Sequence, residues 1–432
     1  MKQLWAPLAW ISGAWRERVA FSIDSNGQWK SITPDVAQPA DAQKLAGPAL
    51  PGLVNAHSHA FQRAFAGRAE YRAGGEDDFW SWRERMYKVA NRITPDELRR
   101  IATNLYAEML RGGYTHVCEF HYLQHAPDGT RYADPLTMSR ALIDAAMTTG
   151  IGLTILPVLY ERAGFDANGL RDEQRRFATS VDDVVAIRDG VRALAEPGVN
   201  AGVAIHSLRG ASPASIAALA DRCADDPGPI HIHVAEQTRE VDDCVEATGR
   251  RPIEWLVDNV PLDARWHLVH ATHATPDEID AVTARQAGVV LCPTTEANLG
   301  DGLADLPRWL DAGTRISIGS DSQLTRDWRE ELRLLEYGQR LTLRRRNIAA
   351  DAHRSTATRL FECALTASGP AAGFVKWGFV AGARADLLVV DRDDEALRDV
   401  ATSELLDAMV FVSPARPFRD AMVAGAWVVQ SS

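Results

Sequence analysis

The chain has 432 residues, enough for one large barrel and an accessory domain. Hydrophobic residues at 46% and charged residues at 24% are those of an ordinary soluble globular protein, and a formal net charge of −11 argues against nucleic acid or an acidic membrane as partner. No apolar run approaches the roughly 20 residues of a membrane span. The start, Met1-Lys2-Gln3-Leu4-Trp5, does not resemble a signal peptide, and five scattered cysteines form neither a disulfide framework nor a thiolate metal site, so a cytoplasmic location is expected.

Residues 1–48 read as short β segments, with 15–23 and 28–32 joined at Asn26-Gly27, followed by a Pro- and Ala-rich connector. Residues 49–55 form a first buried strand. From there to about residue 320, apolar strands alternate with amphipathic helices. The further strands fall at 114–120, 151–159, 199–205, 229–234, 266–269, 288–292 and 314–318. Thr94-Pro95-Asp96-Glu97 and Thr275-Pro276-Asp277-Glu278 carry the residues of capping boxes and open helices. Eight apolar strands separated by helices predict parallel pairing and a (β/α)8 TIM-type barrel, and no Gly-x-Gly-x-x-Gly follows a strand to favour an open doubly wound sheet. After two more helices, residues 383–391, 408–412 and 421–429 read as strand. With residues 1–48 they are expected to make a small β-sandwich domain built from both chain ends, 1–48 and 380–432, around a catalytic domain at 49–379.

In such a barrel the loops after the strands share one face, which carries the chemistry. The candidates collect at that end. The first strand leads into His57-Ser58-His59, the second into His121-Tyr122, the fourth into His206-Ser207-Leu208-Arg209 and the fifth into His233-Val234-Ala235-Glu236, while the sixth ends at His270 and the eighth at Asp321. Side chains alternate along a strand, so His57 and His59 project to one side. With His233 and Asp321 they make an N3O set suited to Zn2+, with Fe2+ also possible. His231 faces the same way as His233 but lies deeper and is assigned to the interior. The five lysines (Lys2, Lys30, Lys44, Lys88, Lys376) all lie outside the second to eighth strands, so no lysine carbamate can bridge two metals there. A single metal is therefore expected, with Glu119 left open as a bridging carboxylate. One cation in an open site lowers the pKa of a water towards ~7. Asp321 is placed to accept that water's proton, Glu236 to pass a proton to a leaving nitrogen, and His270 to polarise the electrophile.

These motifs, together with Gly319-Ser320-Asp321-Ser322, resemble the amidohydrolase superfamily in its mononuclear deaminase branch, over nearly the whole chain. Within that branch His57-Ser58-His59-Ala60-Phe61-Gln62-Arg63, Phe79-Trp80-Ser81-Trp82-Arg83-Glu84, Glu119-Phe120-His121-Tyr122 and His206-Ser207-Leu208-Arg209 are most similar to the iminohydrolases of N-formimino-L-glutamate in histidine breakdown. The resemblance implies zinc on His57, His59, His233 and Asp321, and substrate held by Gln62, Arg83, Tyr122, His206 and Arg209, with Glu236 and His270 at the reacting centre. It also implies N-formyl-L-glutamate and ammonia as products, and a homodimer. Independently of it, arginine forks brought to a metal cleft in an acidic protein suit a small dicarboxylate. Taken alone, Arg83 is equally compatible with a helix-surface charge, Arg209 with a neutralised strand end, and Trp80 and Trp82 with core packing rather than a lid. The competing functions are a deaminase of nucleobases or cyclic amidines, which would favour aromatic stacking over two arginines, hydrolysis of an N-acyl amino acid, and a non-catalytic binding barrel.

Overall fold

The computed structural model describes residues 2–72 and 77–430. Eight parallel strands form the barrel: β1 (Leu53–Ser58), β2 (Tyr114–His121), β3 (Gly152–Leu159), β4 (Val203–Ile205), β5 (Ile230–Val234), β6 (Trp266–His270), β7 (Gly288–Leu291) and β8 (Arg315–Ile318). They pair in sequence order, and almost every strand residue is buried, as expected of strands covered on both faces. The first and last strands meet differently. Between β1 and β8 the contact is a lone bridge at Ser58 and Asp321, with Asp321 N–H donating to His57 O at 3.0 Å and His59 N–H to Asp321 O at 3.2 Å.

Strands from both chain ends join in one mixed sheet in the order Ala426–Val429, Phe418–Val423, Leu387–Val390, Ala49–Leu50, Lys2–Ile11, Ala14–Ile23, Trp29–Thr33. Its own core contains Leu4, Phe21, Trp29, Phe379, Leu387 and Met422. Among the described residues no helix is long and apolar enough to cross a membrane.

Several boundaries differ from the sequence expectation. The predicted strand 49–55 is two elements: Ala49–Leu50 pairs in the end sheet, Pro51-Gly52 breaks the run, and β1 continues to Ser58, so His57 lies within it. The strand predicted at 199–205 is likewise broken at Gly202. Residues 408–412 are not a strand. Most of them belong to the helix Leu405–Phe411, which buries Leu405, Leu406, Ala408, Met409 and Val410, because a short apolar run does not reveal its own period. Three helices had no counterpart in the sequence reading: α1 (Phe79–Ala90), Thr238–Thr248 and Pro293–Leu299.

The helix α1 lies over the barrel mouth and is fixed at both ends. The Asp78 side chain caps it by accepting from the Trp80 and Ser81 N–H groups. Beyond its last turn the fully buried Arg176 donates to three carbonyls, those of Ala90, Ile93 (2.9 Å) and His125 (2.8 Å). Gln174 donates to the hydroxyls of Tyr87 on α1 (3.1 Å) and Tyr160 after β3 (2.7 Å). Arg176 thus ties α1 to the loop after β2 with no carboxylate partner among the described residues, and replacing it leaves buried carbonyls without donors at about 1–3 kcal/mol each. Arg176→Met is expected to lower stability in urea unfolding and, because α1 carries Arg83, to weaken ligand binding at the mouth more than it affects chemistry.

Candidate functional site

The site assembles where β1, β5 and β8 end. The His59 ring donates from Nδ1 to Phe120 O at 2.8 Å, which leaves the Nε2 lone pair pointing inward. The His233 ring stacks on Phe120, 4.2 Å between centroids and 25° between planes. His57 Nε2 lies 3.2 Å from His59 Nε2 and 3.0 Å from His233 Nε2, and Asp321 Oδ1 lies 3.5 Å from His57 Nε2 and 3.3 Å from His59 Nε2. Donors on a tetrahedral ion with bonds of about 2.0–2.1 Å stand roughly 3.3 Å apart, so the pairs made by His57 and by His59 with Asp321 have the spacing of neighbouring ligands, while His233 groups with His57 and His270 rather than with His59 or Asp321. Burial lowers all three imidazoles, His57 to about 3, so they are neutral at pH 7 and present lone pairs to one another. Burial would raise Asp321, but His57 and His59 hold it well below the usual carboxylate range. Neutral imidazoles and an ionised carboxylate converging in a dry pocket fit a divalent cation.

The sequence placed His231 deeper than His233 on the same side, and its Nε2 lies against Ala371 O at 2.9 Å. Glu119, left open as a bridging group, instead accepts from Ser58 Oγ at 2.6 Å and Ala60 N–H at 2.9 Å. His121 is buried at the end of β2 but does not line the cavity.

Beside the donor set, His270 Nε2 stands 3.7 Å from both Glu236 Oε1 and Asp321 Oδ2, and its Nδ1 3.3 Å from Glu296 Oε1. Burial pushes the Glu236 carboxyl up to about 7, with Asp321 and Glu240 adding to the shift and His270 opposing it. Burial would lower His270, but Glu236, Glu296 and Asp321 outweigh it and carry it to about 10. This group therefore retains a mobile proton near neutrality. Five residues here adopt left-handed backbone without being glycine: Ala235 (φ 51°), His270 (68°), Ala271 (47°), Asp321 (45°) and Gln323 (70°). Such strain collects where the surrounding structure over-determines it.

A cavity opens onto these groups and is lined by His59, His233, Asp321, Glu236, His270, Gln62, Arg83, Tyr122, His206 and Arg209, whereas His57, Glu119 and His121 do not line it. Gln62 Nε2 donates to Tyr122 OH at 3.0 Å, leaving the phenol proton for a ligand. His206 stacks on Tyr160 with centroids 3.9 Å apart, and burial with Arg209 and Arg83 nearby keeps it neutral. Among the described residues neither Arg83 nor Arg209 makes an ion pair. Arg83 Nε and Nη1 and Arg209 Nη1 are buried without a partner. Both guanidiniums lie over the Trp80 ring, at 4.5 and 5.1 Å, so Trp80 organises the arginines while Trp82 lines the cavity itself. Sequence reasoning missed Tyr87, Tyr160 and Leu299 on the wall and Glu296 behind His270. None sits in a motif, though Glu296 and Leu299 follow β7 at the functional end of the barrel.

The profile of the amidohydrolase family matches residues 49–428. Formimidoylglutamate deiminase of Pseudomonas aeruginosa is 44% identical over 432 residues, covering all of this chain and 95% of the relative. A 5-methylthioadenosine/S-adenosylhomocysteine deaminase of Natronomonas pharaonis is 28% identical over 381 residues, 88% of this chain and 81% of the relative. Among solved structures, an amidohydrolase from Brucella melitensis superposes with a TM-score of 0.94 at 39% identity, covering all of this chain and 95% of that one. A zinc-bound adenosine deaminase from Xanthomonas campestris, at 22% identity and TM-score 0.80 over 99% of this chain and 92% of that one, shares the fold. Chelator-stripped protein is expected to take up one equivalent of Zn2+ and to melt higher with it, its unfolding free energy raised by RT ln(1 + [Zn]/Kd). Asp321→Asn should forfeit most of that gain in calorimetry.

Proposed function

The chain belongs to the amidohydrolase family, and from that premise we propose that it hydrolyses N-formimino-L-glutamate to N-formyl-L-glutamate and ammonia. The observation that carries the choice of substrate is the pair of guanidiniums that make no ion pair among the described residues and face a metal-type donor set across one cavity. A buried cation without a partner is costly, and a dicarboxylate supplies both partners in bidentate form. The relative at 44% identity carries the name of that activity, which agrees with the reading.

In this mechanism His57, His59, His233 and Asp321 hold one divalent ion, most readily Zn2+. When bound, the ion makes a water acidic enough to attack near neutral pH. Arg83 and Arg209 fix the glutamyl carboxylates, with Tyr122, Gln62 and His206 filling the space between, so that the formimino carbon lies at the donor set. Asp321 accepts the proton of the attacking water. Glu236 protonates the imino nitrogen as the water adds, and Asp321 then passes on the proton it took. The C–N bond breaks so that the nitrogen leaves as ammonia, and the adduct's hydroxyl proton returns to Glu236 as the carbonyl forms. His270, held between Glu236, Glu296 and Asp321, donates to the developing oxyanion. We place this catalytic unit at residues 49–379.

Ammonia release from N-formimino-L-glutamate by zinc-loaded protein tests the reading, with a purine and a neutral formimino amino acid as controls. Release from the purine alone would reverse the assignment. Arg209→Ala should raise KM with a smaller effect on kcat, whereas Glu236→Gln should lower kcat by about 10²–10⁴ and leave KM nearly unchanged.

A further inference from the structure

We propose that Asn55, Ser320, Gln323, Ser58 and Glu119 form one directed hydrogen-bond chain that positions His59 and Asp321 across the junction of the first and last barrel strands. The proposal rests on the metal site of the preceding section and identifies residues that act on it without touching it.

The direction of each bond follows from its neighbour. Asn55 Oδ1 accepts from Ser320 N–H at 2.9 Å, so the Asn55 amide donates from Nδ2 to Ser320 Oγ at 2.6 Å. Ser320 Oγ then passes its proton to Gln323 Oε1 at 2.8 Å. That turns Gln323 Nε2 towards Ser58 Oγ (2.9 Å) and the backbone carbonyl of Asp321 (2.7 Å). Having accepted from Gln323, Ser58 gives its proton to Glu119 Oε1 at 2.6 Å, and Glu119 Oε2 takes the Ala60 N–H at 2.9 Å. None of the five residues is more than 1% exposed. In so dry a setting each deleted link strands two polar groups.

The chain lies where ladder pairing fails. Every other neighbouring pair of barrel strands is held by a run of backbone registers, but β1 and β8 share a lone bridge, and Asp321 there adopts φ 45°. Gln323 grips the Asp321 carbonyl on one side of the junction. On the other, Glu119 grips Ser58 and Ala60, the residues on either side of His59. Two ligands from opposite ends of the barrel sequence are thereby set in one frame.

The test compares wild type with Gln323→Met, Glu119→Gln and the smaller change Ser58→Ala. Zn2+ affinity is read by competition with a chromophoric chelator, and ligand geometry by the visible bands of the Co2+-substituted protein. Glu119→Gln is informative because its amide must face one donor, Ser58 or Ala60. The expected result is a Kd raised about 10–100-fold in the variants with a changed cobalt spectrum. KM at saturating zinc should stay within twofold, since Arg83 and Arg209 are untouched. Variants that lose stability yet keep the wild-type Kd and cobalt spectrum in their folded form would overturn the proposal. Wild type that binds no zinc would overturn both this and the deimination reading. If wild type binds zinc but releases no ammonia, that reading alone fails, and the Kd and cobalt comparison still decides this one.

Discussion

His57 Nε2 lies within about a ligand's spacing of His59, His233 and Asp321, and much of the molecule follows from that convergence. Burial keeps the imidazoles neutral, and neutral rings with lone pairs converging repel unless a cation sits among them. The ligands come from β1, β5 and β8, so only a barrel closed to the point where the first strand meets the last can deliver them. The closure is made at the site itself: the two backbone bonds across the ends of β1 and β8 run between His57, His59 and Asp321. The donor set and the barrel closure are built from the same residues.

The opposite wall answers a different electrostatic demand. The protein is acidic overall, yet among the described residues Arg83 and Arg209 reach the cavity without a carboxylate of their own, and the acids nearest the chemistry, Glu236 and Asp321, are turned towards His270 and the donor set. Charges are thus segregated along the cavity, with hydrogen-bond donors at one end and the proton-handling groups at the other. In the proposed reaction a guest with two carboxylates is held by its remote end, and its reacting carbon is oriented without the reacting groups contributing to recognition. The arginines themselves are steadied by the Trp80 ring, and the helix that bears Arg83 and Trp80 is steadied in turn by Arg176.

How much of this can be read from the chain depends on how local the signal is. His57 and His59 are separated by one residue on a strand, so their shared direction follows from backbone geometry alone. His233, Glu236, His270 and Asp321 are readable once eight strands are counted, because strand ends in a barrel share a face. Local signals misled where the pattern was short: residues 408–412 carry too few apolar positions to distinguish strand from helix, and the run from Ala49 hid a change of sheet at Pro51-Gly52. Tyr87 and Tyr160 reach the cavity through α1 and the loop after β3, and their hydroxyls meet on Gln174, a contact no spacing announces. The unpaired state of Arg83 and Arg209 is likewise a statement about neighbours, which sequence alone does not supply.

The left-handed residues at the site show how such geometry is maintained. A non-glycine residue in that region costs on the order of 1–3 kcal/mol, and five of them gather around the donor set, in a molecule whose whole margin of stability is about 5–15 kcal/mol. Strain of that size persists only where local bonds leave no relaxed alternative. Asp321 is the clearest instance. Its N–H is taken by His57 O and its carbonyl by His59 N–H and Gln323, so a turn back to ordinary φ would break three hydrogen bonds at once. The same bonds aim its carboxylate at the imidazoles. Rigidity at this position is therefore not separable from ligand placement, and the polar chain behind it does in side chains what the missing ladder does elsewhere in the barrel.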